Sequence, residues 1–270
     1  MKVVLVTGAS SGIGRAVAEH LAAAGHTVFG TSRDPGRAGP PPPGVRLLAL
    51  DVTSDSSAQE VVWRVLADAG RLDVLVNNAG YTLAGALEEA TLDQAHALFE
   101  TDFFGAVRMT AQVLPDMRRR RAGQIVNVSS GLAQARAPFT GFYASAKSAL
   151  EAYSEALWHE VRPFGVRVSV VAPGYVATRI EAAAVQASER IEDYAPARGR
   201  VLAAIHRRLE RGSIPRVVAR RIGDLLECEV PPLYVAAGAD ARAVAALRRL
   251  LPPAAFRRLM RSLFGLPNTS

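Results

Sequence analysis

Two hydrophobic rhythms alternate along the chain. Val3–Val6 is a short, continuous, β-branched run, the pattern of a strand buried on both faces. Residues 13–24 follow with Ile13, Val17 and Leu21 at helical spacing and stop at Gly25, a C-terminal cap. Further strands are predicted at Thr27–Thr31, Val45–Leu50, Leu72–Val76, Gln124–Ser129 and Val166–Ala172, with a short seventh at Leu233–Ala236. Helices are predicted over Ser54–Ala69, with Val61, Val62, Val65 and Leu66 as the apolar stripe, and over Phe142–Arg162. Thr91–Arg121 is long enough for one extended helix that Pro115 ends or kinks. Residues 35–44 hold five Pro and three Gly and are predicted to be a surface loop.

Apolar strands separated by helices predict an α/β fold, a doubly wound, mostly parallel sheet of Rossmann type with helices on both faces. No repeat of 20–50 residues and no linker breaks the pattern, so one domain over 1–270 is expected. The polar, Ala-rich stretch at about 175–215 is placed as a substrate loop, and about 216–264 as Arg-rich C-terminal helices. Sheets of this kind bind ligands beyond the carboxyl ends of their strands.

Composition narrows the setting. At 49% apolar and 21% charged residues the chain reads as soluble and globular. No apolar run approaches the roughly 18 residues of a membrane span. The first residues enter a strand directly, without a charged-then-apolar signal segment. Cys228 is the single cysteine, so neither an internal disulfide nor a cysteine metal cluster is possible, and no metal is expected. A cytoplasmic location follows as the expectation.

The net charge of +7 is concentrated at one end: residues 196–270 hold 14 Arg against 5 acidic residues. Neither interleaved aromatics nor a reading helix accompanies that charge, so a solvated Arg-rich surface is favoured over nucleic-acid binding. Phe256, Leu259, Met260, Leu263 and Phe264 share one helical face with Arg257, Arg258 and Arg261 around it. The pattern suits an interfacial membrane helix, and better suits a helix packed over the active site or at a dimer contact. Thirty of the 32 basic residues are Arg, and only Lys2 and Lys147 are Lys.

The candidate chemistry begins after the first strand with Thr7-Gly8-Ala9-Ser10-Ser11-Gly12-Ile13-Gly14. A glycine-rich turn lets the backbone approach a pyrophosphate, and the following helix start offers free N–H groups and a positive dipole end. With its strand-turn-helix setting, this Gly-x-x-x-Gly-x-Gly spacing resembles the short-chain dehydrogenase/reductase family, the shorter single-domain type.

The resemblance implies an oxidoreductase that interconverts a carbonyl and an alcohol by hydride transfer with a nicotinamide dinucleotide. The second strand ends Thr31-Ser32-Arg33. An acid at this distance would bind the ribose hydroxyls of NAD, whereas Arg33 would pair with the 2′-phosphate of NADP. NADP(H) is therefore expected over NAD(H), with Asp34 a carboxylate that would repel that phosphate if turned inward. By resemblance, Asp51 and Val52 meet the adenine, and Asn78, Ala79 and Gly80, in the run Asn77–Gly80, line the adenosine ribose. Pro173, Gly174, Val176 and Thr178 form the Pro-Gly turn beside the nicotinamide carboxamide.

Tyr143 and Lys147 stand at i and i+4 on a predicted helix, so phenol and ammonium share a face. A tyrosine with a pKa of about 10 is a poor base at neutral pH, and a nearby positive charge lowers it. Ser130, thirteen residues before Tyr143, matches the family's serine, which holds the substrate oxygen against the tyrosine; Ser129 is the near alternative. In the family an Asn often completes the set in Asn-x-x-Gly. Here the segment is Asp102-Phe103-Phe104-Gly105. A carboxylate accepts from a water or Lys147 but does not donate as an amide does. Asp102 therefore either supports a relay through Lys147 or holds it in a direct ion pair and alters the pH profile.

Leu87, Pro115, Pro163-Phe164-Gly165 and Leu251-Pro252 resemble the branch with hydroxysteroid and retinol dehydrogenases. Tyr81, Phe139, Tyr175, Ile180 and Tyr194 are candidates to line a pocket for a moderately apolar ketone or alcohol, or else ordinary packing. A homodimer or homotetramer is expected. The competing class is a protein that senses NADP(H) and binds a partner without turnover; the intact Tyr143, Lys147 and Ser130 argue against it, and Asp102 argues for it.

Overall fold

In a computed structural model describing residues 1–178 and 184–267, β1 (Val3–Val6) enters the centre of a seven-stranded sheet. It is followed by α1 (Gly12–Ala23), β2 (Thr27–Ser32), β3 (Val45–Ala49), α2 (Asp55–Ala69) and β4 (Val74–Asn77). A two-residue strand β5 (Leu83–Ala84) precedes α3 (Leu92–Phe99), a π-helical turn at Glu100–Phe104, and α4 (Gly105–Arg120). The second half holds β6 (Gly123–Val128), α5 (Gly131–Ala135), α6 (Gly141–Val161), β7 (Val166–Pro173), β8 (Val185–Gln186), α7 (Ala195–Glu210), α8 (Pro215–Glu227), β9 (Tyr234–Ala237), α9 (Ala239–Leu250) and α10 (Pro253–Leu263).

The large sheet has the order β3-β2-β1-β4-β6-β7-β9, with every pairing parallel. Strand order reverses at the β1/β4 boundary, where a crevice opens at the carboxyl ends. Alternation in β1 fills both faces. Val4 and Val6 pack with Val17 and Leu21 of α1 and Ile222 and Leu226 of α8. Leu5 packs with Val61 and Val65 of α2, Met109 of α4 and Leu157 of α6. β5 and β8 form a separate parallel pair.

Two expectations change. Thr91–Arg121 holds one unbroken helical run, but a π turn is set between α3 and α4, and Pro115 ends nothing, since α4 runs through it to Arg120. Pro115 and Ala111 lie on the solvent side, so the carbonyl that loses its helical donor is open to water. Within 175–215, residues 195–210 are helical. Pro196 sits in the first turn, where its missing N–H costs nothing, and Val201, Ala204 and Ile205 form a buried stripe. The C-terminal stripe is turned inward: Phe256, Met260 and Phe264 are buried against Ala135, Val201 and Ile205, while Leu263 remains partly exposed. Among the described residues no helix is long and apolar enough to cross a membrane.

Candidate active site

At the end of β1 the Thr7 hydroxyl oxygen accepts hydrogen bonds from the backbone N–H groups of Asn78 (2.9 Å) and Ala79 (3.0 Å). The Asn78 amide donates back to the Thr7 carbonyl at 2.9 Å and the Gly8 carbonyl at 3.2 Å. The rims of β1 and β4 are thereby tied together. Gly8 and Gly12 hold φ of 66° and 55°, a region that side chains rarely adopt. A Cβ at Gly14 would collide with the Gly8 carbonyl and stand 2.5 Å from the Asn78 amide nitrogen. The loop through Ser10 and Ser11 thus presents backbone rather than side chain, and Ser11 begins α1 with no side-chain cap on its N–H groups. That shape and polarity fit the pyrophosphate of a dinucleotide.

Arg33, at the end of β2, is exposed and among the described residues makes no hydrogen bond or ion pair. Asp34 is engaged locally: its carboxylate accepts from the Arg37 N–H at 3.2 Å and caps a short turn. The Asp51 carboxylate accepts from the Thr53 N–H and hydroxyl at 2.9 and 2.7 Å, and these bonds hold its pKa below the usual carboxylate value. Val52 is buried beneath the π turn, where a Cβ on Gly105 would meet it at 2.9 Å. Across the crevice the Thr178 methyl lies 3.6 Å from the place of a Gly12 Cβ. The Gly174 N–H donates to the Ala237 carbonyl at 3.0 Å, and a side chain there would strike Asp240.

Tyr143 and Lys147 lie one turn apart on the buried face of α6, with the ammonium 5.8 Å from the phenol ring centre. The Lys147 ammonium stands 3.1 Å from Asp102 Oδ2, both side chains buried, and 3.4 Å from the Val128 carbonyl, to which it donates. The Asp102 contact is an ion pair lying off the direction of a good hydrogen bond. The other carboxylate oxygen accepts from the Tyr81 N–H at 2.9 Å. A Cβ on Gly80 would sit 2.7 Å from Asp102, which accounts for glycine there. The π turn places Asp102 in this position, an example of a local bulge re-aiming a side chain.

Burial pushes the Tyr143 pKa up; Lys147 pulls it down, Asp102 pushes it up again, and neighbouring Ser130 pulls it down by less. The net direction is upward, opposite to the simple expectation for Tyr-x-x-x-Lys. Desolvation outweighs the ammonium, whose field Asp102 partly cancels. Asp102 is itself raised, first by burial. Burial pulls Lys147 down, but Asp102 and Tyr143 more than reverse this, so its pKa is raised and the ammonium is held.

The two serines separate cleanly. The Ser129 hydroxyl donates to Glu151 at 2.7 Å, and Glu151 also accepts from Gln134 at 2.6 Å. Ser130 stays beside the phenol, its oxygen accepting from the Leu132 N–H at 3.1 Å. Ile13, Ser130, Tyr143, Pro173, Val176 and Thr178 line one cleft of about 1460 Å³.

Of the aromatic candidates Tyr175 lines this cleft; burial pushes its pKa up to about 12. Phe139 and Tyr194 pack edge-on at 6.3 Å, and Tyr81 packs against Tyr143 and Leu98. Ile180 lies outside the described residues. Sequence reading missed Leu132, Leu202 and Leu247 on the walls. A Val201–Ala204–Ile205 periodicity was the available signal for α7; nothing local marked α9 as a wall.

Fold, glycine cradle and Tyr–Lys pair together define a NAD(P)-dependent oxidoreductase of the Rossmann class. The chain belongs to the short-chain dehydrogenase/reductase family, whose short chain dehydrogenase model matches residues 2–189. It is 39% identical over 243 residues to a 3-ketodihydrosphingosine reductase of Bacteroides thetaiotaomicron, covering 88% of both chains. It is 39% identical over 191 residues to retinol dehydrogenase 8 of Bos taurus, covering 67% of this chain and 61% of that one. A solved short-chain dehydrogenase from Streptomyces avermitilis superimposes with a TM-score of 0.81 at 38% identity, over 96% of this chain and 97% of the other.

Proposed function

We propose that the protein is an NADP(H)-dependent reductase of an apolar ketone or aldehyde, running also as a dehydrogenase of the corresponding alcohol. The observation that carries this reading is the convergence of Tyr143, Ser130 and the glycine loop's Ile13 on one cleft. When bound, the nicotinamide supplies the hydride. Gly8, Ser10, Ser11, Gly12, Ile13 and Gly14 hold the pyrophosphate, and Arg33 holds the 2′-phosphate. Asp51, Val52, Asn78, Ala79 and Gly80 border the adenosine, and Pro173, Gly174, Val176 and Thr178 border the carboxamide. Ser130 orients the substrate oxygen and steadies its developing charge. Tyr143 delivers a proton to that oxygen in reduction. A phenol with a raised pKa stays protonated at neutral pH, which suits a proton donor. Lys147 anchors the nicotinamide ribose, and Asp102 fixes Lys147. The 3-ketodihydrosphingosine reductase relative supports a ketone carried on an apolar chain.

A lone thiol at Cys228 supports a cytoplasmic setting. Membership of a family whose proteins are typically oligomeric supports a homodimer or homotetramer. One observation favours the competing reading, a sensor without turnover: Asp102 neutralises Lys147. Tyr143→Phe decides between them. On the oxidoreductase reading the variant folds, binds NADPH and loses at least about 10²-fold in turnover of a long-chain ketone. Unchanged turnover in Tyr143→Phe removes the proposed role of the phenol, and absent turnover in the wild-type protein favours the sensor.

A further inference from the structure

Beyond Tyr143 the cleft continues between α5, α7, α9 and α10, with Leu202, Leu247, Met260 and Phe264 on its walls. Arg200 and Arg207 of α7 and Arg211 just past its end also line it. At 100° per residue these three fall within about 40° of one another, a single stripe beside the helix's buried face. All three are exposed, and among the described residues none has a hydrogen bond, ion pair or ring contact.

Arg208 is different. It donates to the Leu263 carbonyl at 2.6 Å and lies over the Phe264 ring at 5.4 Å, so it builds the wall. The acid on the described lining is Asp240, already committed to the Tyr175 N–H at 2.6 Å. Among the described residues that line the cleft, the stripe's charge therefore has no acidic counterpart. Like charges one and two turns apart repel, and an arriving anion removes that repulsion. Guanidinium groups match carboxylate and phosphate oxygens in geometry as well as charge.

We infer that Arg200, Arg207 and Arg211 form a head-group subsite for an anionic amphiphile. Its carboxylate or phosphate sits on the stripe, and its apolar chain lies against Leu202, Met260 and Phe264. For turnover this rests on the oxidoreductase reading, with the chain's carbonyl reaching Tyr143; binding itself does not.

Isothermal titration calorimetry on the full chain tests the subsite with decyl phosphate, decanoate and decan-1-ol as probes. At low salt at least one anion binds about tenfold or more tightly than the alcohol. That advantage shrinks as sodium chloride screens it, and collapses towards unity in the Arg200→Gln/Arg207→Gln/Arg211→Gln variant. The tighter of the two anions names the head group. Equal affinity for the alcohol and both anions, or a preference that survives in the triple variant, overturns the subsite. Because the readout needs no turnover, that failure leaves the oxidoreductase reading standing, and an inactive enzyme leaves the binding result standing.

Discussion

The Asp102 carboxylate stands 3.1 Å from the Lys147 ammonium, both fully enclosed by protein. An asparagine at this position would keep an oxygen to accept from the Tyr81 N–H. It would not cancel the field that Lys147 projects onto Tyr143. Asp102→Asn therefore preserves kcat within about tenfold. It also moves the phenol's titration to lower pH, because Asp102 raises the Tyr143 pKa and its charge is gone. Alcohol oxidation needs the deprotonated phenol, so its rising limb in kcat/KM against pH shifts acid-ward. A profile that does not move would show that Asp102 acts by geometry alone, and complete loss of activity would give the carboxylate its own chemical role.

Ser129 and Ser130 adjoin in sequence but have different partners, Glu151 for one and the phenol for the other. Ser130→Ala is expected to lower kcat by about 10²-fold or more with cofactor affinity kept. Ser129→Ala leaves kcat near wild type and costs about 1 kcal/mol of stability, since half-buried Glu151 loses one of its two donors. Steady-state kinetics beside thermal melts separates the two, and the reverse pattern would exchange their roles.

The central sheet was legible in the sequence because its inner strands are buried on both faces, giving near-continuous apolar runs such as Val3–Val6, while the edge strands β3 and β9 are only partly covered. Site motifs were legible for a related reason: each is a short local string, at a strand end for the glycine loop, Ser130 and the Pro-Gly turn, and along one helix for Tyr143 and Lys147. What escaped depends on distant contacts. The π turn at Glu100–Phe104 offsets the helical rhythm by one residue, too little to read from periodicity. Sequence showed that Asp102 replaces an amide, but the upward direction at Tyr143 comes from burial by separate elements. The charge of Arg200, Arg207 and Arg211 was countable, whereas their shared position on the cleft needed α7 to be placed.

Gly14 tests the cradle without touching the chemistry. It packs where α1 meets the glycine loop, and an added methyl would strike the Gly8 carbonyl and the Asn78 amide, both held by backbone or by hydrogen bonds to β1. Neither neighbour is the free end of a flexible chain. Gly14→Ala is expected to displace the loop, lower stability by about 1–3 kcal/mol and weaken NADPH binding by more than tenfold. Dinucleotide titration followed by melting temperature checks this. Unchanged affinity would mean that the loop does not cradle the pyrophosphate.

Arg33 tests which dinucleotide the cradle serves. Its guanidinium is exposed and makes no hydrogen bond or ion pair among the described residues, though Asp51 feels its charge, while the nearest carboxylate in sequence, Asp34, is occupied with the Arg37 N–H. The residue before it, Ser32, donates its hydroxyl to the Asp34 carbonyl at 3.3 Å and offers no acid to a ribose diol. A 2′-phosphate would therefore meet an available cation. NADPH at about 100 times its dissociation constant should stabilise the fold by roughly 2.7 kcal/mol, and NADH at the same concentration by much less. A charge-assisted contact contributes about 1.5–3 kcal/mol, so Arg33→Ala should weaken NADPH by about 10- to 100-fold and barely alter NADH. Thermal-shift titration of both proteins with both dinucleotides gives the comparison. A wild-type preference for NADH would reassign the end of β2 to diol recognition and make oxidation the direction to assay first, since Arg33 would then be a surface residue with no ligand to hold.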